Sequence, residues 1–238
     1  MKVLDLDKQQ RVQRMFSSAA HRYDVNNTVL SFGRHFSWKR RAVEAARVQA
    51  GQKVIDLCSG TADMAILLSG KAGPAGKVVA LDLNPEMLEI GKAKIDRAGI
   101  SQRIDCVIGN MEHLNFPDHT FHAATVGFGI RNTARMDRAF EEMCRVLKPG
   151  GRGVCLEFSR PPSGIIRWGY NLYSFSLLPV LGRWISGDRT GIYHYLPESI
   201  RKFPDQETLR GIMLKAGFSR VEYINLSGGI VALHIGVK

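Results

Sequence analysis

The 238-residue sequence predicts an α/β fold: a seven-stranded, mostly parallel sheet with helices on both faces and one antiparallel strand at the end. Three observations predict it. From residue 53 onward, short apolar runs alternate with segments of helical composition, the pattern of a parallel sheet. The first run delivers a turn of small residues, Cys58-Ser59-Gly60-Thr61-Ala62, into a helix. The chain finishes in two strand-like runs, Arg220–Leu226 and Ile230–Val237, around Ser227-Gly228-Gly229, a hairpin signal.

Taken in order, residues 1–50 read as helical, with Asp7 as the cap of a first helix through Ala20 and a second helix over Phe36–Ala50. Between them, Tyr23–Trp38 is rich in aromatic and amide side chains. Lys53–Cys58 is the first strand and Ala62–Ser69 the helix after it, ended by the breaker at Gly70–Gly76. Lys77–Leu83 is the second strand. Asn84 then stands where an N-cap belongs and Pro85 at the first helical position, for a helix that runs to about Ala98 and stops at Gly99. Arg103–Ile108 and His122–Phe128 are the third and fourth strands. Thr133–Leu147 is a long helix closed by Lys148-Pro149-Gly150-Gly151, and Gly153–Phe158 is the fifth strand. Residues 160–204 break the rhythm with many aromatics and several cations, and read as an inserted cap. Asp205–Ala216 resumes as a helix ending at Gly217. No linker interrupts the sequence, so residues 1–238 are expected to form one domain.

Composition narrows the class. Hydrophobic residues make up 45% and charged residues 23%, which suits a globular core and argues against disorder. A formal charge of +11 favours contact with anionic surfaces, nucleic acid or acidic lipid. Cys58, Cys106, Cys144 and Cys155 have no C-x-x-C spacing and read as free thiols, as in a reducing cytoplasm. The start MKVLDLDKQQ lacks the apolar stretch of a signal peptide. The longest uncharged stretch of the insert, Trp168–Gly182, has 15 residues, whereas a bilayer span needs about 20. A cytoplasmic protein is expected, with peripheral contact at the inner membrane face. His113, His119 and His122 flank a turn and match no zinc spacing, so no metal is expected.

Three strand ends form the candidate binding site. In open parallel sheets ligands sit at the carboxyl ends of strands, where a small-residue turn lets them approach the backbone and a helix N-terminus. The turn at Gly60 is not G-x-G-x-x-G, and it carries no lysine, so a phosphate-binding loop is excluded. The second strand ends at Asp82, an acceptor suited to both hydroxyls of a ribose. The third leads into Gly109-Asn110-Met111, where Asn110 can contact an adenine or ribose and Met111 can pack on the ring.

Those three turns, over residues 50–160, resemble the Rossmann-like class I S-adenosylmethionine-dependent methyltransferases. Longer motifs are similar to the ubiquinone/menaquinone biosynthesis C-methyltransferase family. They are Tyr23-Asp24-x-x-Asn27 with Ser31, His35 and Trp38; Gly127-Phe128-Gly129-Ile130-Arg131-Asn132; Arg145–Gly151 with Glu157 and Ser159; and Tyr193-x-Tyr195-Leu196-Pro197-x-Ser199 with Phe203-Pro204. The chain departs from the family pattern at Asn26, where methionine is usual, at Met111, where alanine is usual, and at Asn115, where proline is usual. The resemblance implies S-adenosyl-L-methionine as co-substrate, held by Gly60, Thr61, Asp82, Asn110, Met111 and Gly127. It implies a prenylated quinol as acceptor, methylated on ring carbon. The turn at Cys58–Asp63 and Gly127 look more like the menaquinone-making members, which makes 2-demethylmenaquinol the expected acceptor, beside the benzoquinol of the ubiquinone route.

The chemistry asks for a quinolate, because a ring carbon is a poor nucleophile until the adjacent hydroxyl ionises. Arg131, after the fourth strand, is the first candidate to hold that oxyanion, and Asn132 can add a hydrogen bond. Tyr23, His35, His194 and Tyr195 are secondary candidates for proton handling. Ile165, Ile166, Trp168, Tyr170, Leu172, Tyr173, Phe175, Leu177, Leu178 and Leu181, flanked by Arg160, Arg167, Arg183 and Arg189, suit a membrane interface, a cap over the site, or a homodimer surface. A methyltransferase of another phenol or lipid shares the cofactor residues. A nucleic-acid methyltransferase is disfavoured, since Gly127-Phe128-Gly129-Ile130 stands where [DN]-P-P-[FY] is usual and no separate basic domain is present.

Overall fold

The computed structural model describes residues 12–174 and 192–238. Helix α1 (12–19) and a 3-10 turn, Ala20–Arg22, lead into α2 (Tyr23–Leu30) and α3 (Arg34–Ala45). The order then runs β1 (Lys53–Leu57), α4 (Asp63–Ala72), β2 (Lys77–Asp82), α5 (Pro85–Arg97), β3 (Ile104–Ile108), β4 (Phe121–Gly127), α6 (Met136–Val146) and β5 (Leu147–Phe158). It ends with α7 (Gly164–Leu172), α8 (Ile192–Lys202), α9 (Gln206–Lys215), β6 (Arg220–Leu226) and β7 (Val231–Val237). Asp7, Phe175, Leu177, Leu178, Leu181, Arg183 and Arg189 lie outside the described residues.

The strands form one sheet in the order β3-β2-β1-β4-β5-β7-β6. β3 through β5 are parallel. The last strand of the chain, β7, is the antiparallel one, and it is inserted between β5 and the edge strand β6. Chain reversal between β1 and β4 places the switch point at the ends of the central strands, where ligands bind.

Consecutive residues of the central strands feed opposite layers. Val54 and Ala123 pack with Ala65, Leu68 and Trp38, while their neighbours Ile55 and Ala124 pack with Phe140, Met143 and Phe121. A strand buried on both faces needs apolar residues at every position, which is why these strands read as continuous runs rather than alternating ones. Each such side chain contributes about 1.5–3 kcal/mol on transfer from water.

Four boundaries differ from the sequence reading. Tyr23–Leu30 is helical, a segment without strong local propensity that Asp24 ties to Thr61 and Lys94. The next helix is Arg34–Ala45 rather than Phe36–Ala50; it enters through Gly33 at φ +71° and ends before Arg47 at φ +50°. The helix expected from Thr133 begins at Met136, after the 3-10 turn Ile130–Asn132. Lys148–Gly151 belongs to the start of β5, where Leu147 pairs with Phe121 before a register shift. The caps fall as expected: Asn84 accepts from the Met87 amide and Asp205 from that of Thr208. Among the described residues no helix is long and apolar enough to cross a membrane.

Candidate active site

The turn after β1 is wound tightly. Cys58, Gly60 and Ala62 all have left-handed φ, at +52°, +55° and +64°. Such a turn costs about 1–3 kcal/mol at each non-glycine residue and persists where tertiary contacts over-determine it. One contact is direct: the Gly60 amide donates to Asp82 Oδ2 at 2.8 Å, tying the end of β1 to the end of β2. Asp82 Oδ1 accepts from the Asn84 amide at 2.8 Å. Burial pushes the Asp82 carboxyl up, opposed by amide donations from Asn84, Gly60 and Leu83.

Asp82, Gly60, Asn110, Met111, Gly127 and Asn132 line one cavity at these strand ends. Asn110 Oδ1 accepts from the Glu112 amide at 2.9 Å, which orients its side chain. Met111, 2% exposed, touches Cys58 sulfur to sulfur at 3.4 Å. Burial raises the Cys58 thiol well above its ordinary range. Gly127 answers to packing, since a Cβ there would meet Met64 Sδ at 2.5 Å. The N-terminal helix closes one side, held by Gln13 Nε2 on the Leu83 carbonyl (3.1 Å) and by Asn84 Nδ2 on the Gln13 carbonyl (3.2 Å) and Ser17 Oγ (2.9 Å).

The donor set of this cavity identifies what it can hold. Its wall carries the carboxylates Asp82 and Glu112 and, among the described residues, no lysine or arginine. A phosphate would be repelled, whereas a ribose diol, a flat base against Met111 and Leu83, and a sulfonium cation are all served. The residues fit S-adenosylmethionine.

Thr61 is not brought to that wall. Its hydroxyl donates to Asp24 Oδ1 at 2.7 Å, behind the turn. Asp24 also receives Lys94 at 2.9 Å, and Lys94 pairs with Asp63, as does Lys39 at 2.7 Å. Burial pushes the Asp63 carboxyl up, but the two lysines outweigh it and hold it below its ordinary value. This network pins α2 and α3 to the β1 turn.

A second cavity, of about 600 Å³, lies alongside. Phe16, Tyr23 and Phe128 belong to the walls of both. Its floor is aromatic: the Phe128 and Phe158 rings stand 4.9 Å apart, with Trp38 at 6.1 and 6.4 Å. Phe128 itself is held at φ +58°. The 3-10 turn that follows it straddles the two spaces, presenting Arg131 to the aromatic cavity and Asn132 to the cofactor cavity.

Arg131 is locked. Its Nη1 donates to the Phe128 carbonyl at 2.6 Å and to Glu157 Oε1 at 2.7 Å, and its guanidinium lies 5.6 Å from the Phe158 ring centroid. The pair is buried, with side chains 5% and 1% exposed. Burial raises the Glu157 carboxyl, opposed by Arg131 and the Phe158 amide. Arg131 Nε and Glu157 Oε2 have no hydrogen-bond partner among the described residues. Asn132 Oδ1 accepts from the Tyr195 hydroxyl at 3.0 Å, which ties α8 of the cap to the site.

His35 also lines the aromatic cavity. Thr28 spends its hydroxyl proton on the Asp24 carbonyl, so His35 Nε2 is the donor in its 3.1 Å contact with Thr28. Burial lowers the His35 pKa to about 4, leaving the ring neutral at neutral pH. The side chain of His194 lies outside those described. Glu157, named in the sequence only as part of the Arg145–Gly151 motif, is the partner of Arg131; the local signal for it is a carboxylate near the carboxyl end of an otherwise apolar strand.

Sheet order and strand-end turns together define the fold of the Rossmann-like S-adenosylmethionine-dependent methyltransferases. The chain covers 84% of itself and 88% of a SAM-dependent methyltransferase from Aquifex aeolicus at TM-score 0.62 and 18% identity, and 97% of itself and 96% of the cyclase SpnF at TM-score 0.69 and 16% identity; these likenesses show the fold. The model of the ubiE/COQ5 methyltransferase family matches residues 4–238, and the chain belongs to that family. Relatives named ubiquinone/menaquinone biosynthesis C-methyltransferase UbiE are 45% identical over 236 residues in Pseudomonas paraeruginosa (99% of this chain, 92% of the relative). In Francisella tularensis subsp. tularensis the identity is 47% over 232 residues (98% and 92%).

Proposed function

We propose that the enzyme transfers the methyl group of S-adenosylmethionine to a ring carbon of a prenylated quinol, 2-demethylmenaquinol first and the benzoquinol of the ubiquinone route beside it. The observation that carries this reading is the aromatic-floored cavity of about 600 Å³, with Arg131 set in its wall, sharing Phe16, Tyr23 and Phe128 with the cofactor cavity. The names of the curated relatives support it. In this reading residues 1–238 act as one methyltransferase domain, with the N-terminal helices and the described helices of the insert, α7 and α8, as its roof.

The bound co-substrate supplies an electrophilic methyl on a sulfonium. Asp82 receives the ribose, Asn110 and Met111 the base, Gly60 leaves room for the backbone approach, and Gly127 lines the same cavity while packing on Met64. Thr61 acts from behind the turn, through Asp24. On the acceptor side, a quinol hydroxyl is a phenol with pKa about 10. Arg131 cannot take its proton, since a guanidinium stays charged, but it lowers the cost of the quinolate by standing next to it. Glu157 keeps that cation from being buried unpaired before substrate arrives. The Asn132 amide, oriented by Tyr195, offers a further donor at the boundary of the two cavities.

The identity of Gly127 has a packing reason of its own, since a Cβ there would displace the Met64 side chain. Direct assay chooses between the quinols. Purified protein with methyl-labelled S-adenosylmethionine is offered demethylmenaquinol, the demethylated benzoquinol, an unprenylated phenol and tRNA. Label is expected in the quinols, faster in demethylmenaquinol, and absent from tRNA. Label confined to tRNA or to the unprenylated phenol ends the proposal.

A further inference from the structure

Beyond β5 the chain passes through Arg160 and Pro161 into α7 and, with α8, borders a cavity of about 470 Å³ that, among the described residues, shares Tyr170 and Ile200 with the aromatic cavity. Three guanidinium groups line it: Arg160, Arg167 and Arg201. Arg160 donates to the Arg201 carbonyl at 2.8 Å, and Arg167 to the carbonyls of Pro161 and Pro162, both at 3.0 Å. Those bonds orient two of the forks without neutralising them. Among the described residues none of the three arginines has a carboxylate at ion-pair distance. Asp205 feels Arg160 only as the weakest influence on its carboxyl. Ser159, 4% exposed, lines the same cavity with a buried hydroxyl that has no partner among the described residues. Three solvent-exposed guanidiniums without a carboxylate partner and an unpartnered hydroxyl supply the donors that a phosphate-type anion needs.

The surroundings say what carries the anion. Beside the polar Asn171 and Ser174, the other walls, Pro161, Tyr170, Pro197 and Ile200, are apolar, a poor match for a free phosphate. Helix α7 has no buried residue. Ile165, Trp168 and Leu172, at i, i+3 and i+7, form one outward stripe and are 84%, 71% and 51% exposed. Of the eleven large apolar side chains exposed among the described residues, eight lie on α2, α3, the turn between them, or α7. Phe32, 78% exposed, stands against Tyr173 with ring centroids 6.1 Å apart, so the two patches are continuous. Phe32 and Ile166 are both exposed and line the aromatic cavity, which therefore opens on this face. Apart from Lys39, which is paired with Asp63, the three helices carry four cations against Asp24 and Glu44, and Asp24 is already paired with Lys94. An apolar stripe bordered by cations suits an anionic bilayer surface.

We propose that the pocket of Arg160, Arg167, Arg201 and Ser159 binds the phosphate of an anionic phospholipid headgroup, while the outward stripe of α7 enters the acyl-chain boundary and turns the mouth of the aromatic cavity toward the membrane. This deepens the quinol reading, whose acceptor carries a bilayer-bound chain, but its test needs no turnover. The full chain is floated with vesicles of phosphatidylcholine alone and of phosphatidylcholine containing one-third phosphatidylglycerol, at fixed ionic strength. Partition is expected to be much stronger on the anionic vesicles. Arg160→Gln with Arg201→Gln should lower it about 25-fold, about fivefold per cation. Ile165→Ser with Trp168→Ser should lower it at least tenfold. Unchanged S-adenosylmethionine affinity in both double variants shows that they are folded. Partition equal to that of the native chain in the arginine variant overturns the proposal. So does calorimetric binding of inorganic phosphate, lost in that variant, with no vesicle binding by the native chain, which would mark a free-phosphate site. A dimer that Trp168→Ser dissociates while vesicle binding is unchanged overturns the membrane role of the stripe. Vesicle binding without quinol methylation leaves the docking site standing and removes only the quinol assignment.

Discussion

Breaking the Arg131–Glu157 pair separates structural from chemical work at the site. Both side chains are buried and 2.7 Å apart, so Arg131→Met leaves a carboxylate whose Oε2 already lacks a partner with no counter-charge at all. Removing one member of a buried pair costs about 3–5 kcal/mol, whereas replacing both by apolar groups of similar volume is often neutral or better. The Phe158 amide and the Phe128 carbonyl also lose a partner in the double variant, at about 1 kcal/mol each. Arg131→Met and Glu157→Leu should therefore each lose about 3–5 kcal/mol, and the double variant should return to within about 2 kcal/mol of the native protein. At about 2–4 °C per kcal/mol for a domain of this size, each single change lowers Tm by roughly 6–20 °C. Urea unfolding with equal m values gives the cycle, and turnover measured on the same samples gives the chemistry. Turnover should stay abolished in the double variant although its stability has recovered. A double variant as destabilised as the sum of the singles refutes the coupled pair, and recovered turnover removes Arg131 from the reaction.

Asp82→Ala should weaken S-adenosylmethionine binding at least tenfold by calorimetry, because a charge-assisted acceptor is worth about 1.5–3 kcal/mol; unchanged affinity would place the ribose elsewhere. Gly127→Ala should cost about 1–3 kcal/mol of stability by overpacking against Met64, and adding Met64→Ala should relieve the overlap; a loss unaffected by the second change contradicts the contact. Burial pushes the Asp56 carboxyl from 3.8 up to about 6 against hydrogen bonds from Thr125 and Ser59, so the folded state holds this proton more tightly than the unfolded chain. Its contribution favours folding below about pH 4 and fades as pH rises to about 6, some 3 kcal/mol in all. His35, lowered to about 4 by burial, has the opposite sign: its stabilisation is present above about pH 6.5 and is lost as pH falls. The difference between native and Asp56→Asn stability curves should therefore slope between pH 4 and 6 and be flat above; a flat difference throughout excludes Asp56 as the source.

Local chemistry in the sequence was enough to determine the strand–helix alternation, the Asn84-Pro85 and Asp205 caps, and the place of Gly60, Asp82, Asn110 and Met111 at the strand ends that line one cavity. Each depends on periodicity, a turn, or a strand end, all legible within a few residues. What lay further apart was decided only in three dimensions. Tyr23–Leu30 became a helix that Asp24 ties to Thr61 and Lys94, and β7 slid between β5 and β6. Thr61 turned from the cofactor wall to Asp24, 37 residues earlier, and Arg131 found Glu157, 26 residues on. Such pairings depend on which strand ends the sheet order makes neighbours, and no single segment carries that information. The division of labour between Arg131 and Asn132 has the same origin: they are adjacent in the chain, but the turn that carries them stands on the partition between two cavities.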